Sequence, residues 1–237
     1  MGITPNSLEL ISNHLAASRF ESAMIVGWQK FWHFNTCDHE RVSAILTSIP
    51  SHGSLNLQNG GDAVSLFKVL GATNIDVIDA SDYEGANIIC DFNYPLTKEL
   101  ESSRYNLLFD GGSLEHIYNV PVALRNCMRL ISPGGMYMGI FPCDGWAGHG
   151  FYQFSPEFFY RSFCEENGFT STRVIIYHEV GDPNYQEFPD PKRIGRRLEF
   201  RLDRPTSIFV TSLKISDAEI FSSYPNQSDY EFSEWKK

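Results

Sequence analysis

The chain has 237 residues, of which 42% are hydrophobic and 14% are aromatic, so it carries enough apolar surface to bury a core and is not a disordered chain. Its formal net charge of −10 argues against nucleic acid or an anionic membrane as the main partner, because both bind basic surfaces. The five cysteines are odd in number and form no Cys-x-x-Cys pair, which indicates reduced thiols and predicts a cytoplasmic protein.

The first fifty residues are predicted to form a helical cap. Residues 4–18 and 38–49 place apolar side chains on one face of a helix. Residues 19–36 lie between these helices and are interpreted as an aromatic packing layer or a lid over a substrate. Within this segment, residues 28–34 are a candidate contact between two copies of the chain.

From residue 51 onward, short predicted strands alternate with predicted helices. The strands are centred near residues 55, 75, 88, 107 and 138, and two more near 175 and 210 pair as a hairpin. This pattern predicts a doubly wound α/β domain over residues 51–221, with a mostly parallel seven-stranded sheet and an antiparallel last strand. A polar tail is predicted over residues 222–237.

Polar residues follow the predicted strand ends, where open α/β sheets bind ligands. The first strand, residues 54–57, is predicted to open into a Gly-Gly turn at residues 58–62. Asp79 ends the second strand, Asp91 ends the third with Phe92 beside it, and Asp110 ends the fourth. Asp79 suits a ribose diol, and Asp91 with Phe92 suits an adenine. The alternative is that both aspartates only cap turns.

Four blocks occur in the same order as in the class I S-adenosylmethionine-dependent methyltransferases, which the chain resembles over about residues 50–215. They read IDVIDAS, CDFNYPL, YNLLFDGGSLEH and LISPGGMYMGIFP. The resemblance implies S-adenosylmethionine as the cofactor. The residues it assigns to cofactor binding are Asn59, Gly60, Gly61, Asp79, Ala80, Ser81, Asp91, Phe92, Asp110 and Gly111. The chain departs from the family's first motif, because Asn56 and Gln58 replace an acidic residue and a glycine.

Methyl transfer to a hydroxyl group requires removal of a proton, and histidine titrates near neutral pH. His116, six residues after Asp110, and His149, after the fifth strand, are therefore the candidate catalytic bases; a structural role for each is the alternative. Glu115 is a candidate partner for a histidine. Tyr152 and Gln153 are candidate contacts for an acceptor. No metal-ligand set is evident in the sequence.

The predicted function is methyl transfer to a hydroxyl or carboxyl group of a small polar molecule, such as a sugar or a natural product. No Asn-Pro-Pro-Tyr-like run, typical of amino-group methylation in DNA and protein, follows the fourth strand. A methyltransferase fold that binds without catalysis is the alternative, favoured by the altered glycine turn. A dinucleotide-dependent oxidoreductase is disfavoured, because the chain lacks a G-x-G-x-x-G turn.

Overall fold

The computed structural model describes residues 2–15, 20–32, 36–48 and 61–232. Within these ranges eight strands form one sheet in the order β3-β2-β1-β4-β5-β8-β6-β7. The strands are β1 (Ser22–Val26), β2 (Asn74–Asp79), β3 (Ile88–Ile89), β4 (Tyr105–Asp110), β5 (Ile131–Asp144), β6 (Phe169–Tyr177), β7 (Gln186–Phe188) and β8 (Thr206–Lys214). The predicted α/β fold class is confirmed.

The centre of the sheet is β1, which pairs in parallel with β2 on one side and with β4 on the other. The prediction that residues 1–50 form only a helical cap was therefore wrong. The strand predicted at residues 54–57 lies outside the described residues, and β1 occupies the first position of the fold instead. Four of the five residues of β1 are buried, so the strand lacks the apolar–polar alternation that marks a half-exposed strand.

The other half of the sheet is antiparallel. Strand β8 lies between β5 and β6 and runs antiparallel to both, as predicted for the two terminal strands. Strand β7 is an additional edge strand that pairs with β6, and it comes from the polar insertion before β8. The sheet thus has eight strands rather than the predicted seven.

Helices connect the strands and flank the sheet. The sequence predicts helices over residues 120–131 and 156–167; α5 spans the first almost residue for residue, whereas α6 ends before residue 167 and is followed by a 3-10 turn at Glu165–Asn167. The helices are α1 (Pro5–Leu15), α2 (Thr36–Thr47), α3 (Ala63–Val69), α4 (Lys98–Ser102), α5 (Val120–Leu130), α6 (Pro156–Ser162), α7 (Pro191–Ile194) and α8 (Asp229–Phe232). In the described part of the chain, none of them has the length and apolar character that crossing a membrane requires.

Two apolar clusters cover the two faces of the sheet. In β1, Met24 and Val26 belong to one cluster, and Ala23 and Ile25 belong to the other. This division follows from the two-residue period of a strand, which sends successive side chains to opposite faces. With both faces covered, ligands reach the parallel strands only at their ends.

The predicted polar tail is packed against the domain in part. Ser228 is buried, and its N–H donates to Glu157 Oε1 at 2.5 Å. Asp229, at the start of α8, forms an ion pair with Arg197. The tail is therefore attached to the α6 side of the domain as far as α8.

Candidate active site at the strand ends

A pocket of about 390 Å³ lies at the carboxyl ends of the parallel strands β1, β2, β3 and β4. Each strand contributes the residues that directly follow it, and the 3-10 turn Leu114–His116 after β4 adds a histidine. The lining includes Gly27, Trp28, Gln29, Asp79, Ala80, Asp91, Phe92, Gly112, Ser113 and His116. Five residues predicted from the sequence, Asp79, Ala80, Asp91, Phe92 and His116, thus meet in one pocket.

A larger groove of about 1080 Å³ lies elsewhere, beside α6 and β6. Four of its charged lining residues pair with one another, in the Arg161–Asp190 and Arg173–Glu187 ion pairs. Because this groove is away from the ends of the parallel strands, we place the candidate active site in the smaller pocket.

The turn after β1 is Gly27-Trp28-Gln29. Gly27 has a φ of +70°, and a Cβ atom at this position would lie 2.5 Å from Ser113 Oγ, so the turn requires glycine. Gln29 Nε2 donates to the Val26 carbonyl at 3.0 Å and lies 3.2 Å from Ser113 Oγ. These side-chain hydrogen bonds hold the turn in place, and Gly27 is the one glycine in it.

The glycine turn predicted at residues 58–62 does not follow the first strand of the sheet. Asn59 and Gly60 lie outside the described residues. Gly61 does not line the pocket, and its carbonyl accepts a hydrogen bond from Phe31 N at 2.9 Å. The position expected for this turn is occupied by Gly27, Trp28 and Gln29. The apolar run before Gly27 is the signal that could have located it.

The aromatic residues after β1 lie in three different environments. Trp28 lines the pocket, and Phe31 packs on one of the two core clusters. Trp32 is exposed. Residues 33–35 lie outside the described ranges, and the predicted contact between copies of the chain stays a prediction.

Two aspartates reach the pocket from β2 and β3. Asp79 is half-buried, and its Oδ1 accepts a hydrogen bond from Ser81 N at 3.3 Å. Asp91 is exposed, and its Oδ1 accepts hydrogen bonds from both the backbone and the side chain of Asn93 at 2.9 and 2.8 Å. Both aspartates thus cap a turn and border the pocket. Ser81 is exposed and lies outside the lining.

Asp110 is fully buried below the pocket. Its Oδ1 accepts hydrogen bonds from Gly112 N at 3.0 Å and Ser113 N at 2.6 Å, and its Oδ2 has no partner among the described residues. Burial raises the pKa of Asp110 to about 6, although the hydrogen bonds from Ser113 and Gly112 oppose this rise. The neighbouring Gly111 is buried and packs against the Gln29 amide rather than lining the pocket.

Glu115, His116 and His149 form a cluster at the edge of the pocket. Glu115 Oε1 lies 3.7 Å from His149 Nε2 and 4.0 Å from His116 Nε2, and the two imidazole rings are 4.9 Å apart. The Glu115 side chain is 0% exposed, whereas His116 is 48% and His149 33% exposed. The sequence predicted both histidines and named Glu115 as a candidate partner for a histidine, but it did not show that this carboxylate is buried and faces both rings.

Burial affects all three side chains of this cluster. It raises the pKa of Glu115, and the nearby Asp110 carboxylate raises it further. Burial lowers the pKa of His116, with a smaller contribution from His149, and burial also lowers the pKa of His149. The imidazoles therefore favour their neutral form, in which a ring nitrogen can accept a proton or bind a metal ion.

The loop after β5 is held against the 3-10 turn. Phe151 N donates to the Glu115 carbonyl at 2.7 Å, and Tyr152 Oη donates to the Tyr118 carbonyl at 2.7 Å. Gln153 Oε1 accepts a hydrogen bond from Trp146 N at 2.8 Å. Tyr152 and Gln153, predicted to contact an acceptor, thus use these polar atoms to fix the loop, and neither lines the pocket.

The close approach of this loop leads to a stability prediction. Gly150 has a φ of +72°, and a Cβ atom there would lie 2.7 Å from the Glu115 carbonyl oxygen. We expect Gly150→Ala to destabilise the protein by about 1–3 kcal/mol, because both the backbone angle and the contact become unfavourable. Gly148→Ala, on the same loop with no atom within 4 Å, is the matched control. Equal urea-unfolding midpoints for the two variants would contradict the proposed packing.

Comparison with known proteins yields similarity in solved structures only. No protein-family model matches the chain, and no curated protein matches it. The chain is similar to N-methyltransferase NodS from Bradyrhizobium japonicum WM9 in complex with S-adenosyl-L-homocysteine, with a TM-score of 0.47 and 9% identity over 90% of this chain and 89% of that one. It is also similar to a SAM-dependent methyltransferase from Thermotoga maritima, with a TM-score of 0.44 and 10% identity over 88% and 89%. The argument for function therefore rests on the pocket itself.

Proposed function

We propose that the protein is an S-adenosylmethionine-dependent methyltransferase that acts on a hydroxyl or carboxyl group of a small polar molecule. The observation that carries this proposal is the convergence of Asp79, Asp91 and His116 on one pocket at the ends of the parallel strands. Asp79 and Asp91 follow β2 and β3 and His116 follows β4, so a nucleoside cofactor and an acceptor would lie side by side in this pocket.

The pocket residues fit this cofactor in chemistry and size. A volume of about 390 Å³ lies within the range of small-molecule pockets. Asp79 would accept hydrogen bonds from a ribose diol, and Phe92 would contact an adenine. Gln29 Oε1 is buried in the pocket wall with no partner in the described part of the chain, and it would accept a hydrogen bond from an ammonium group. When bound, S-adenosylmethionine supplies an electrophilic methyl group.

The acceptor would bind on the side of the pocket where the histidines lie. His116 lines the pocket, and His149 packs against it with ring centroids 4.9 Å apart. A neutral imidazole in this place would take the proton from an acceptor hydroxyl, and Glu115, which lies near Nε2 of both rings, would stabilise the resulting imidazolium. A sugar or natural-product hydroxyl suits this arrangement, because such hydroxyl groups need a base, whereas carboxylates do not.

A second candidate function is binding of a ligand without catalysis. The specific observation in its favour is the turn after β1, where Trp28 and Gln29 stand in place of glycines. Both candidates predict a small ligand in the pocket. They differ in whether a methyl group is released to an acceptor, which production of S-adenosylhomocysteine measures directly.

The cofactor assignment predicts a loss of affinity in one variant. We expect calorimetry to detect S-adenosylmethionine at one site per chain and NAD not at all. Asp79→Ala should weaken S-adenosylmethionine binding by at least about tenfold, because two ribose hydroxyl groups lose a charged acceptor. Asp82→Ala is the matched control, since Asp82 is exposed nearby and does not line the pocket. Unchanged affinity in Asp79→Ala would refute the ribose assignment.

A further inference from the structure

We propose that Glu115, His116 and His149 form a binding site for a divalent transition-metal ion at the edge of the pocket. One carboxylate and two imidazoles are a ligand set that Zn²⁺, Mn²⁺, Fe²⁺ and Co²⁺ accept. The catalytic role of this ion rests on the proposed function, whereas its binding does not.

The first support is the distance between the potential ligand atoms. One atom from each of the three side chains lies within 4.8 Å of the other two. Ligand atoms of a tetrahedral zinc site, with bonds of about 2.1 Å, lie roughly 3.4 Å apart. The side chains would therefore need to close by up to about 1.4 Å, which rotations of side-chain torsions provide.

The second support is the environment of Glu115. Its side chain is 0% exposed, and neither carboxylate oxygen has a hydrogen-bond partner among the residues that the structure describes. An ionised carboxylate buried in this way is costly unless a cation or donors compensate it. A metal ion between the carboxylate and the imidazoles would supply that compensation. This observation is independent of the distances.

The third support is the backbone that carries the ligands. Glu115 and His116 lie on the 3-10 turn after β4, whereas His149 lies on the loop after β5. The two segments are joined by the hydrogen bond from Phe151 N to the Glu115 carbonyl, and Gly150 permits their close contact. The ligand positions are therefore fixed in relation to one another before an ion binds.

The site would leave coordination positions for an acceptor. Three protein ligands are typical of catalytic rather than structural zinc sites. His116 also lines the pocket, so the ion would border the space where the acceptor binds. A hydroxyl group bound to the ion loses its proton to solvent more readily, and the resulting oxygen is a stronger nucleophile. With an ion bound, the imidazoles would act as ligands, and the role as proton acceptor proposed above would apply to the metal-free site.

The test is a titration of the metal-free protein, without an affinity tag, with Zn²⁺ by calorimetry. We expect one ion per chain. Glu115→Gln, His116→Ala and His149→Ala should each weaken Zn²⁺ binding by at least about tenfold. His39→Ala is the matched control, because His39 is an exposed histidine on α2. Unfolding curves of all variants verify that each is folded. Because His149 is partly exposed, His149→Ala still tests the metal site should Glu115→Gln fail to fold.

Absence of saturable Zn²⁺ binding, or equal binding in the three cluster variants and the wild type, would overturn the metal site. Titration with S-adenosylmethionine in the presence of EDTA tests the proposed function separately. If EDTA leaves methyl transfer at its full rate and no Zn²⁺ binds, the metal inference fails and the methyltransferase assignment stands. Zn²⁺ binding lost in the cluster variants supports the metal site even in the absence of any cofactor binding.

Discussion

Simultaneous replacement of His116 and His149 by alanine is expected to lower kcat by about 10²–10⁴-fold, the usual contribution of a positioned proton acceptor. Both imidazoles lie within 4.0 Å of the same buried carboxylate, so either can substitute for the other in a single variant. The double variant removes both. Release of S-adenosylhomocysteine, measured with an acceptor found in a panel of hydroxylated small molecules, gives the rate.

The control for this variant is its cofactor affinity. S-adenosylmethionine binding should change much less than kcat, because Asp79 and Asp91 are distant in sequence and remain intact. The His39→Ala variant should retain the wild-type rate. A double variant that turns over within about threefold of the wild type would show that neither histidine is needed, and that proximity of acceptor and methyl group suffices.

The second large effect concerns stability and pH at Asp110. Burial raises the pKa of this carboxyl to about 6, above the value of about 3.9 in an unfolded chain. A raised pKa means that the folded protein holds the proton more tightly, so this stabilisation is complete below pH 3.9 and is lost as the pH rises through 6. Asp110→Asn lacks this titration. We expect the unfolding free energy of Asp110→Asn, relative to the wild type, to increase by about 2.4 kcal/mol between pH 4 and pH 7.5.

Urea unfolding at several pH values, without cofactor or metal, measures this difference. The amide itself changes the stability of the fold by an amount that does not depend on pH, because it replaces Asp110 Oδ2, which has no partner in the described chain. Only the change with pH is therefore informative. Asp203→Asn, at an exposed position, should show a difference from the wild type that is independent of pH. The same flat profile in Asp110→Asn would contradict the burial argument.

Most of the fold could be predicted from the sequence, because helices and strands alternate and turn residues clearly separate them. Helix α5 has strong helical periodicity, and Ser155 caps α6 through a hydrogen bond to Glu157 N, as its position predicts. Strand β1 was missed because SAMIV is short and buried on both faces, so its pattern cannot be told from any other apolar run. The Gly-Gly pair at residues 60–61 is a stronger turn signal than the single Gly27, so the turn was predicted at residues 58–62 rather than after β1.

The candidate site was predicted in part for the same reasons. Asp79, Asp91 and His116 lie at or just after strand ends. Parallel strands place their carboxyl ends at the same edge of the sheet, whatever conformation the loops adopt. Glu115 was predicted as a candidate partner for a histidine, but its burial and its position facing both imidazoles were not, because sequence spacing alone does not show which side chain of a 3-10 turn points inward. The contacts of Tyr152 and Gln153 could not be predicted from the sequence either, because they depend on the conformation of a glycine-rich loop.

The position of β1 has a consequence for how the sheet is assembled. This strand precedes all other strands, yet its two neighbours are β2 and β4, which end at Asp79 and Asp110. During synthesis, β1 therefore leaves the ribosome long before both of its partners exist. Parallel pairing across such separations closes large chain loops, which slows folding. We infer that the segment Ser22–Val26 lacks its β4 partner until residue 110 has emerged, and that this interval is when the nascent chain most needs protection from aggregation.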